Sequence, residues 1–196
     1  MKKNLITAVL MTVVTTILLG IIYPLVVTAL AQALFHDKAN GQLIVKDGKA
    51  VGSRIIGQAF NSDSYFHSRP SNAGNGYDAA NSSASNLGPT NHALIDRVNA
   101  SVAQLKAENP QTPVPIDLVT SSGSGLDPHI TPAAAAFQIP RIAKARGMSE
   151  AQLRAIVARH TEGRQLGFLG EPRVNVLELN LDLDQQSPTK SALASH

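Results

Sequence analysis

Residues 4–35 form the longest hydrophobic pattern in the chain, because they contain no Asp, Glu, Lys, Arg or His. A helix needs about 20 apolar residues to cross a hydrocarbon core about 30 Å thick, and this segment is longer than that. The pattern therefore predicts a transmembrane anchor helix over residues 1–35. A cleaved signal peptide is the alternative, because Ala29-Leu30-Ala31 and Ala31-Gln32-Ala33 resemble its cleavage pattern. The apolar run, however, exceeds the roughly 7 to 15 residues of a signal peptide.

Small residues recur along one side of the predicted anchor. They lie at every fourth position: Ala8, Thr12, Thr16, Gly20 and Pro24, with Thr28 continuing the row. Small residues allow membrane helices to approach closely, so the row predicts contact with another membrane helix. The alternative is that Ala, Thr and Gly are simply common in membrane helices.

The pattern after the anchor predicts one mixed α+β domain over residues 36–184. Gln42 to Val51 reads as a hairpin around an Asp47-Gly48 turn, and residues 52–60 read as a further strand with glycine breaks. Residues 61–91 are rich in Asn, Ser, Gly and Ala and predict a long loop, called the polar loop below.

Helical spacing and end signals mark three helices in the second half of the chain. The first runs from Thr90 as N-cap to Asn109-Pro110, the second from Thr131 to Gly147 with a bend or break at Pro140, and the third from Ser149 to His160. Alternating apolar residues predict strands at 114–120 and 174–183, the latter with a slip at 176/177. Residues 185–196 are polar, and we expect a disordered tail there.

Composition narrows the class of protein. The chain has no cysteine, and its formal charge of +3 falls to about +1 when Lys2 and Lys3 are left out, so nucleic acid is not an expected partner. Lys2 and Lys3 favour a cytoplasmic N-terminus, whereas the lysines that follow the anchor oppose it. Since long domains translocate largely regardless of charge, we expect the domain on the outer side of the membrane.

Candidate catalytic motifs are weak. Residues 121–125 resemble a nucleophile elbow but lack the G-x-S-x-G spacing, and His160 and His129 lie in no recognised metal-ligand pattern. No phosphate-binding G-x-x-x-x-G-K-[ST] motif occurs. The sequence therefore predicts no catalytic residue, bound cofactor or metal.

A set of motifs carries a resemblance to a known family. They occur in order along the chain at residues 52–60, 65–71, 85–89, 124–130, 138–147, 160–162 and 169–177. Together with the anchor they resemble the C subunits of Kdp-type potassium-transporting ATPases (the KdpC family). Within these motifs, candidate subunit-contact or fold residues are Arg69, Pro70, Asn86, Gly88, Gly125, Asp127, His129, Gln138 and Arg141. The alternative is that they maintain the fold, with Arg141 and Arg146 as solvated helix charges.

The resemblance implies a non-catalytic subunit of a potassium uptake complex in the cell inner membrane. It implies three partners besides the lipid bilayer: a channel-like potassium-binding subunit, a P-type ATPase subunit and a small single-span subunit. Potassium and ATP would be handled by those partners, and because ATP is cytoplasmic we expect any effect on ATP affinity to be indirect. A membrane-anchored extracytoplasmic hydrolase that uses Ser124, Asp127 or His129, and a free-standing surface-binding module, are the alternative functions.

Overall fold

The computed structural model describes residues 1–186 and divides the chain into two compact units, Met1–Ser53 and the part that begins at Arg54. The predicted division into residues 1–35, 36–184 and 185–196 stays a prediction. Residues 187–196 of the predicted tail lie outside the described residues, whereas residues 185–186 form the end of a helix.

The first unit begins with the apolar helix. Helix α1 spans Lys2–Ile17, a π-helical segment spans Leu18–Ile22, α2 spans Tyr23–Leu34 and a short α3 spans His36–Ala39. Within the described residues, one helical run, Lys2–Leu34, is long and apolar enough to cross a membrane. Pro24 has no N–H for the carbonyl of Gly20, four residues earlier. The π segment lies directly before Pro24. Its hydrogen bond runs from the Tyr23 N–H to the Leu18 carbonyl, five residues earlier, as in a π-helix.

The predicted hairpin of the first unit is confirmed. Strands β1 (Leu43–Lys46) and β2 (Lys49–Ser53) pair antiparallel through a two-residue turn. Asp47 and Gly48 have φ angles of 52° and 75°, the left-handed values that a type I′ hairpin turn requires.

The second unit combines helices with a small antiparallel sheet. Its helices are α4 (His92–Glu108), α5 (Pro132–Arg146), α6 (Glu150–Arg159) and α7 (Val176–Gln186), with a 3₁₀ turn at Ile116–Leu118. Strands β3 (His129–Ile130), β4 (Thr161–Glu162) and β5 (Arg173–Asn175) form a sheet in the order β3-β5-β4. No sequence pattern predicted β3 or β4.

The three predicted helices are confirmed, with adjusted ends. The N-cap of α4 is Asn91, one residue after the predicted Thr90, and its side chain accepts a hydrogen bond from Ala93 N. Thr131 caps α5, which is continuous through Pro140 and not split there. The predicted capping box of Ser149 is present at the start of α6.

The core of the second unit lies between α5, α6, α7 and the sheet. It consists of buried apolar side chains at Phe66, Leu118, Ile130, Ala134, Ala135, Phe137, Ile139, Ile142, Leu153, Ile156, Val157, Val174, Val176, Leu179 and Leu183. Phe66 belongs to the polar loop, so the loop adds a side chain to the core. Helix α4, by contrast, has no buried residue in this structure.

The predicted strand at 114–120 is wrong, and of the predicted strand at 52–60 only residues 52 and 53 are in a strand, at the end of β2. Residues 54–60 form turns and irregular backbone, and residues 114–120 contain a 3₁₀ turn after Pro115. Of residues 174–183, only the first two are in a strand, and α7 follows. Val176, Asn180 and Leu183 are buried at helical spacing, and the Asn175 side chain accepts from Glu178 N at 3.1 Å as an N-cap. Leucines at alternate positions fit a strand equally well, and the prediction followed that alternation.

Candidate functional site

Two buried side-chain amides bind the backbone of the polar loop, in the way that a neighbouring β-strand would. The Asn180 side chain accepts from Phe66 N and donates to Phe66 O, both at 2.9 Å. The Gln138 side chain accepts from His67 N at 2.8 Å and donates to His67 O at 3.1 Å. Asn180 and Gln138 are 1% and 2% exposed. Two successive loop residues therefore have their backbone groups satisfied by buried amides from α7 and α5.

Arg141 binds further backbone groups of the polar loop. Its Nη1 donates to the carbonyls of Asp63 and Tyr65 at 2.6 and 3.1 Å, and its Nη2 donates to Gln138 Oε1 at 2.8 Å. Its Nε pairs with Glu108 at 2.9 Å, and its side chain is 10% exposed. The interpretation of Arg141 as a solvated helix charge is wrong, because every guanidinium nitrogen has a partner within the fold.

Arg146 also binds the backbone of the polar loop. Its side chain is fully buried, pairs with Asp184 at 2.7 Å and donates to the Ser64 carbonyl at 2.6 Å. The guanidinium lies 4.8 Å from the centre of the Tyr65 ring, whose hydroxyl donates to the same Asp184 at 3.0 Å. Arg146 is therefore also not a solvated charge.

A second junction joins the polar loop to the turn at residues 121–125. The Ser71 hydroxyl donates to the Gly125 carbonyl at 2.7 Å and accepts from Tyr77 N at 2.8 Å. The Tyr77 hydroxyl donates to the Arg69 carbonyl, and burial raises the pKa of Tyr77 above its usual value. Gly125 has φ of +69°, and a Cβ there would lie 2.6 Å from the Ser83 carbonyl oxygen. Only glycine fits this position without a shift of backbone.

Arg69, Asp127 and His129 come together in the fold. Arg69 Nη1 lies 3.4 Å from Asp127 Oδ2, and Asp127 Oδ1 accepts from His129 N at 3.0 Å. Burial on its own raises the pKa of Asp127, but hydrogen bonds from His129 and the charge of Arg69 outweigh it and lower that pKa below its usual range. Asp127 is therefore an ionised anchor for its neighbours at neutral pH.

These three residues line a shallow depression of about 330 Å³, called the Asp127 depression here. Its other walls come from the 3₁₀ turn, from β3 and from residues 171–173 before and in β5. A larger open cleft of about 560 Å³ lies beside α4 and is lined by His67, Pro70, Gln138 and Arg141, among others. Burial and the charge of Arg141 lower the pKa of His67 below its usual value.

Asn86 and Gly88 take a different place from the other motif residues. Neither is among the lining residues of the two concavities. Asn86 has φ of +52°, and the Gly88 carbonyl accepts from Asn91 N at 3.0 Å, just before α4. The geometry gives these two residues a part in the turn that leads into α4.

Ser124, which belongs to the segment that resembles a nucleophile elbow, is not among the lining residues of either concavity. The Ser124 hydroxyl accepts from Leu126 N at 3.1 Å and lies 3.4 Å from the Ser122 hydroxyl, both within the same turn. Among residues 1–186, no group of three or more His, Cys, Asp or Glu could hold a metal ion. What the arrangement provides is a fixed polar surface with paired charges.

The row of small residues in the apolar helix includes the π segment. In an α-helix, positions four apart drift by about 40° around the axis at each step. The wider π turn at Leu18–Ile22 takes in more residues, so it offsets this drift between Thr16 and Pro24. Gly20 has open space where a side chain would be, with only a Thr16 methyl 3.9 Å away. Between Thr16 and Pro24 the row therefore stays closer to one side of the helix than it would in a regular α-helix.

Sequence reasoning missed Asn180, Tyr77 and the pairing of Arg146 with Asp184. Asn180 sits among the leucines of α7, and a buried polar residue inside an apolar helix face was the available signal. Tyr77 belongs to no recognised motif, and Asp184 pairs with Arg146, which lies 38 residues away in sequence.

The comparisons with known proteins agree on one family. The family described as "K+-transporting ATPase, c chain" (KdpC) matches residues 5–185. A protein of Koribacter versatilis named potassium-transporting ATPase KdpC subunit is 68% identical over 188 residues, which cover 96% of this chain and 97% of the relative. Proteins of the same name from Acidobacterium capsulatum and Rhodopseudomonas palustris are 58% and 54% identical, covering 93% and 94% of this chain and 98% of each relative.

Proposed function

Because the chain belongs to the KdpC family, the c chain of K+-transporting ATPases, we propose that it is a non-catalytic subunit of an ATP-driven potassium uptake complex. In this proposal it supports the assembly and stability of a channel-like potassium-binding subunit and a P-type ATPase subunit, together with a small single-span subunit. Potassium and ATP are bound by those partners, and any effect of this chain on ATP affinity is indirect.

One structural observation carries the proposal. The polar motif residues Gln138, Arg141 and Arg69 bind backbone groups of their own chain, at distances of 2.6–3.4 Å. Such residues fix the shape of the surface to which they belong. A rigid polar surface on a membrane-anchored domain suits contact with other subunits.

The test is removal and return of the chain. A complex prepared without it should lose potassium-stimulated ATPase activity, and addition of the purified full-length chain should restore that activity. The chain purified alone should hydrolyse no ATP. Full activity of a complex that lacks the chain would contradict the proposal.

We further propose that the chain is a single-pass protein of the inner membrane, with a cytoplasmic N-terminus and the second unit outside. The long apolar helix and Lys2 and Lys3 before it support this orientation. Since the chain has no cysteine, one introduced thiol reports the topology without background.

Ala107→Cys places that thiol at an exposed position of α4. An impermeant maleimide added from the outer face should label it in intact membranes. Asn4→Cys, at the start of the apolar helix, should be labelled only after the membrane is opened. The reverse pattern would invert the proposed orientation.

The row of small residues is proposed as the contact with a partner membrane helix. Ala8, Thr12, Thr16, Gly20 and Pro24 form this row, and Gly20 offers the open space that close approach needs. Gly20→Leu should therefore reduce recovery of the complex through a tagged partner subunit, whereas Leu18→Val should not. Equal recovery of both variants would show that the small residues are compositional.

The Asp127 depression and the polar loop are proposed as the subunit-contact surface of the second unit. Arg69, Asp127 and His129 lie in the depression, and Pro70 lines the cleft beside α4. Gln138 and Arg141 support this surface from the fold, because they bind backbone carbonyls of the polar loop.

A further inference from the structure

An apolar loop projects from the second unit next to the Asp127 depression. Leu166, Phe168 and Leu169 are 82%, 70% and 47% exposed, and we call these three side chains the apolar tip. The loop begins at Arg164 and ends at Glu171, and Glu171 and the following Pro172 line the Asp127 depression. The apolar tip is therefore continuous with the surface to which the motif residues contribute.

The loop is held in one shape. Backbone hydrogen bonds of 2.9 Å join Gln165 and Leu169 in both directions, and Arg164 pairs with both carboxylate oxygens of Glu171 at 2.8 and 2.9 Å. Leu166 has φ of +53°, a left-handed conformation that is strained for a leucine. A strained residue persists only where its surroundings fix it, and such residues collect at binding sites. The loop thus keeps a leucine in an unfavourable conformation while exposing it to water.

The size of the apolar tip argues against a second copy of this chain as its occupant. Its three side chains present roughly 300–500 Å², if a large side chain offers about 150–250 Å². A stable dimer of free proteins buries about 800 Å² on each side. The apolar tip is smaller than that, and its size suits one part of the larger subunit-contact surface proposed around the Asp127 depression.

The charges around the loop argue against a lipid surface. Segments that bind anionic lipid carry a surplus of Lys or Arg. Here Arg164 pairs with Glu171, and Arg173 pairs with Glu162 at 2.9 Å, so the base of the loop carries no such surplus. A rigid loop also enters a shaped protein pocket without a further ordering cost.

We propose that the loop of residues 164–171 is a preformed anchor that inserts Leu166 and Phe168 into an apolar pocket of a partner protein subunit. This inference rests on the proposed function, since it requires a partner in the same membrane. Large apolar side chains at the centre of an interface commonly supply most of its binding energy.

Leu166→Asn tests the anchor without disturbing the loop. Asparagine accepts the left-handed conformation better than leucine, so the full-length variant should be as stable as the original chain. Its recovery in complex with a tagged partner subunit should nevertheless fall at least about tenfold, as expected when a central contact is removed. The matched control is Ile95→Gln, which replaces an apolar side chain of α4 that is 40% exposed. Unchanged recovery of Leu166→Asn, or an equal loss for Ile95→Gln, would overturn the proposal.

Phe168→Trp then reports the surroundings of the tip, because the chain has no tryptophan of its own. In nanodiscs that hold the chain alone, the indole should be quenched by iodide and not by brominated lipid. In the assembled complex its emission should shift to the blue and be protected from both quenchers. Quenching by brominated lipid would assign the tip to the bilayer, and continued quenching by iodide in the complex would show that nothing covers it.

These outcomes separate this proposal from the proposed function. If the chain does not copurify with any partner subunit, the proposed function fails. If the complex forms normally while the indole of Phe168→Trp stays open to iodide, only the anchor proposal fails.

Discussion

Asn180→Ala should strongly destabilise the second unit, because the Asn180 side chain forms hydrogen bonds with both the N–H and the carbonyl of Phe66. The side chain donates to the Phe66 carbonyl and accepts from its N–H, each at 2.9 Å. Asn180 is 1% exposed and Phe66 is fully buried, so water cannot replace the lost amide without opening the structure.

The magnitude follows from the two groups left without partners. A buried donor or acceptor without a partner costs about 1–3 kcal/mol. Two such groups predict a loss of about 2–6 kcal/mol in the free energy of unfolding, out of the roughly 5–15 kcal/mol typical of a whole domain. Denaturation of the full-length protein in detergent measures the loss. Hydrogen exchange of a peptide that contains residues 65–67 locates it, since about 1.4 kcal/mol of lost local stability speeds exchange tenfold.

Two variants control this experiment. Asn99→Ala removes an exposed asparagine from α4 and should change the unfolding free energy by about 0.5 kcal/mol or less. Asn180→Asp keeps the side-chain volume, but its ionised form cannot donate to the Phe66 carbonyl, so its loss should shrink at acid pH, where the protonated carboxyl can donate. A loss below about 1 kcal/mol for Asn180→Ala, with unchanged exchange near Phe66, would refute the reasoning.

Three further predictions concern the same framework. Gly125→Ala should cost more than about 2 kcal/mol of stability, because its Cβ would lie 2.6 Å from a backbone oxygen, whereas Gly123→Ala, with open space around it, should be nearly neutral in thermal unfolding. His67 has a lowered pKa in the folded state, so its contribution to stability is fully present above about pH 6.5 and is lost as the pH falls below that value; His67→Gln should flatten this part of the stability-pH curve. Arg146→Lys should lose about 1–3 kcal/mol in denaturation, because an ammonium group cannot bond Asp184 and the Ser64 carbonyl in the fork geometry of the guanidinium.

Local signals were sufficient where a segment's structure depends on its own residues. The hairpin at Asp47-Gly48 and the capped helices α5 and α6 follow from turn and cap chemistry, and each was predicted within a residue or two. Helix α7 was missed because its leucines fit two periodicities. The N-cap at Asn175, three residues before Glu178, was the local signal that distinguishes a helix from a strand.

The site depends on pairs that no local pattern shows. Asn180 and Phe66 are 114 residues apart, and Arg141 and Asp63 are 78 residues apart. The motifs included Arg69, Asp127 and His129 among nine candidate residues, and the fold brings these three together. Gln138 and Arg141 bind backbone groups of the polar loop, and such contacts depend on the path of the loop past α5, which no local sequence pattern encodes.

The most direct test of the central claim is the potassium-stimulated ATPase activity per assembled complex in an Asp127→Asn variant. Asparagine still accepts from His129 N but loses the charge that pairs with Arg69. If the chain acts through contact and not through chemistry, total activity should fall only in proportion to lost assembly, and activity per assembled complex should equal that of the original. A variant complex that assembles fully, binds potassium and nucleotide normally and yet hydrolyses no ATP would contradict the claim.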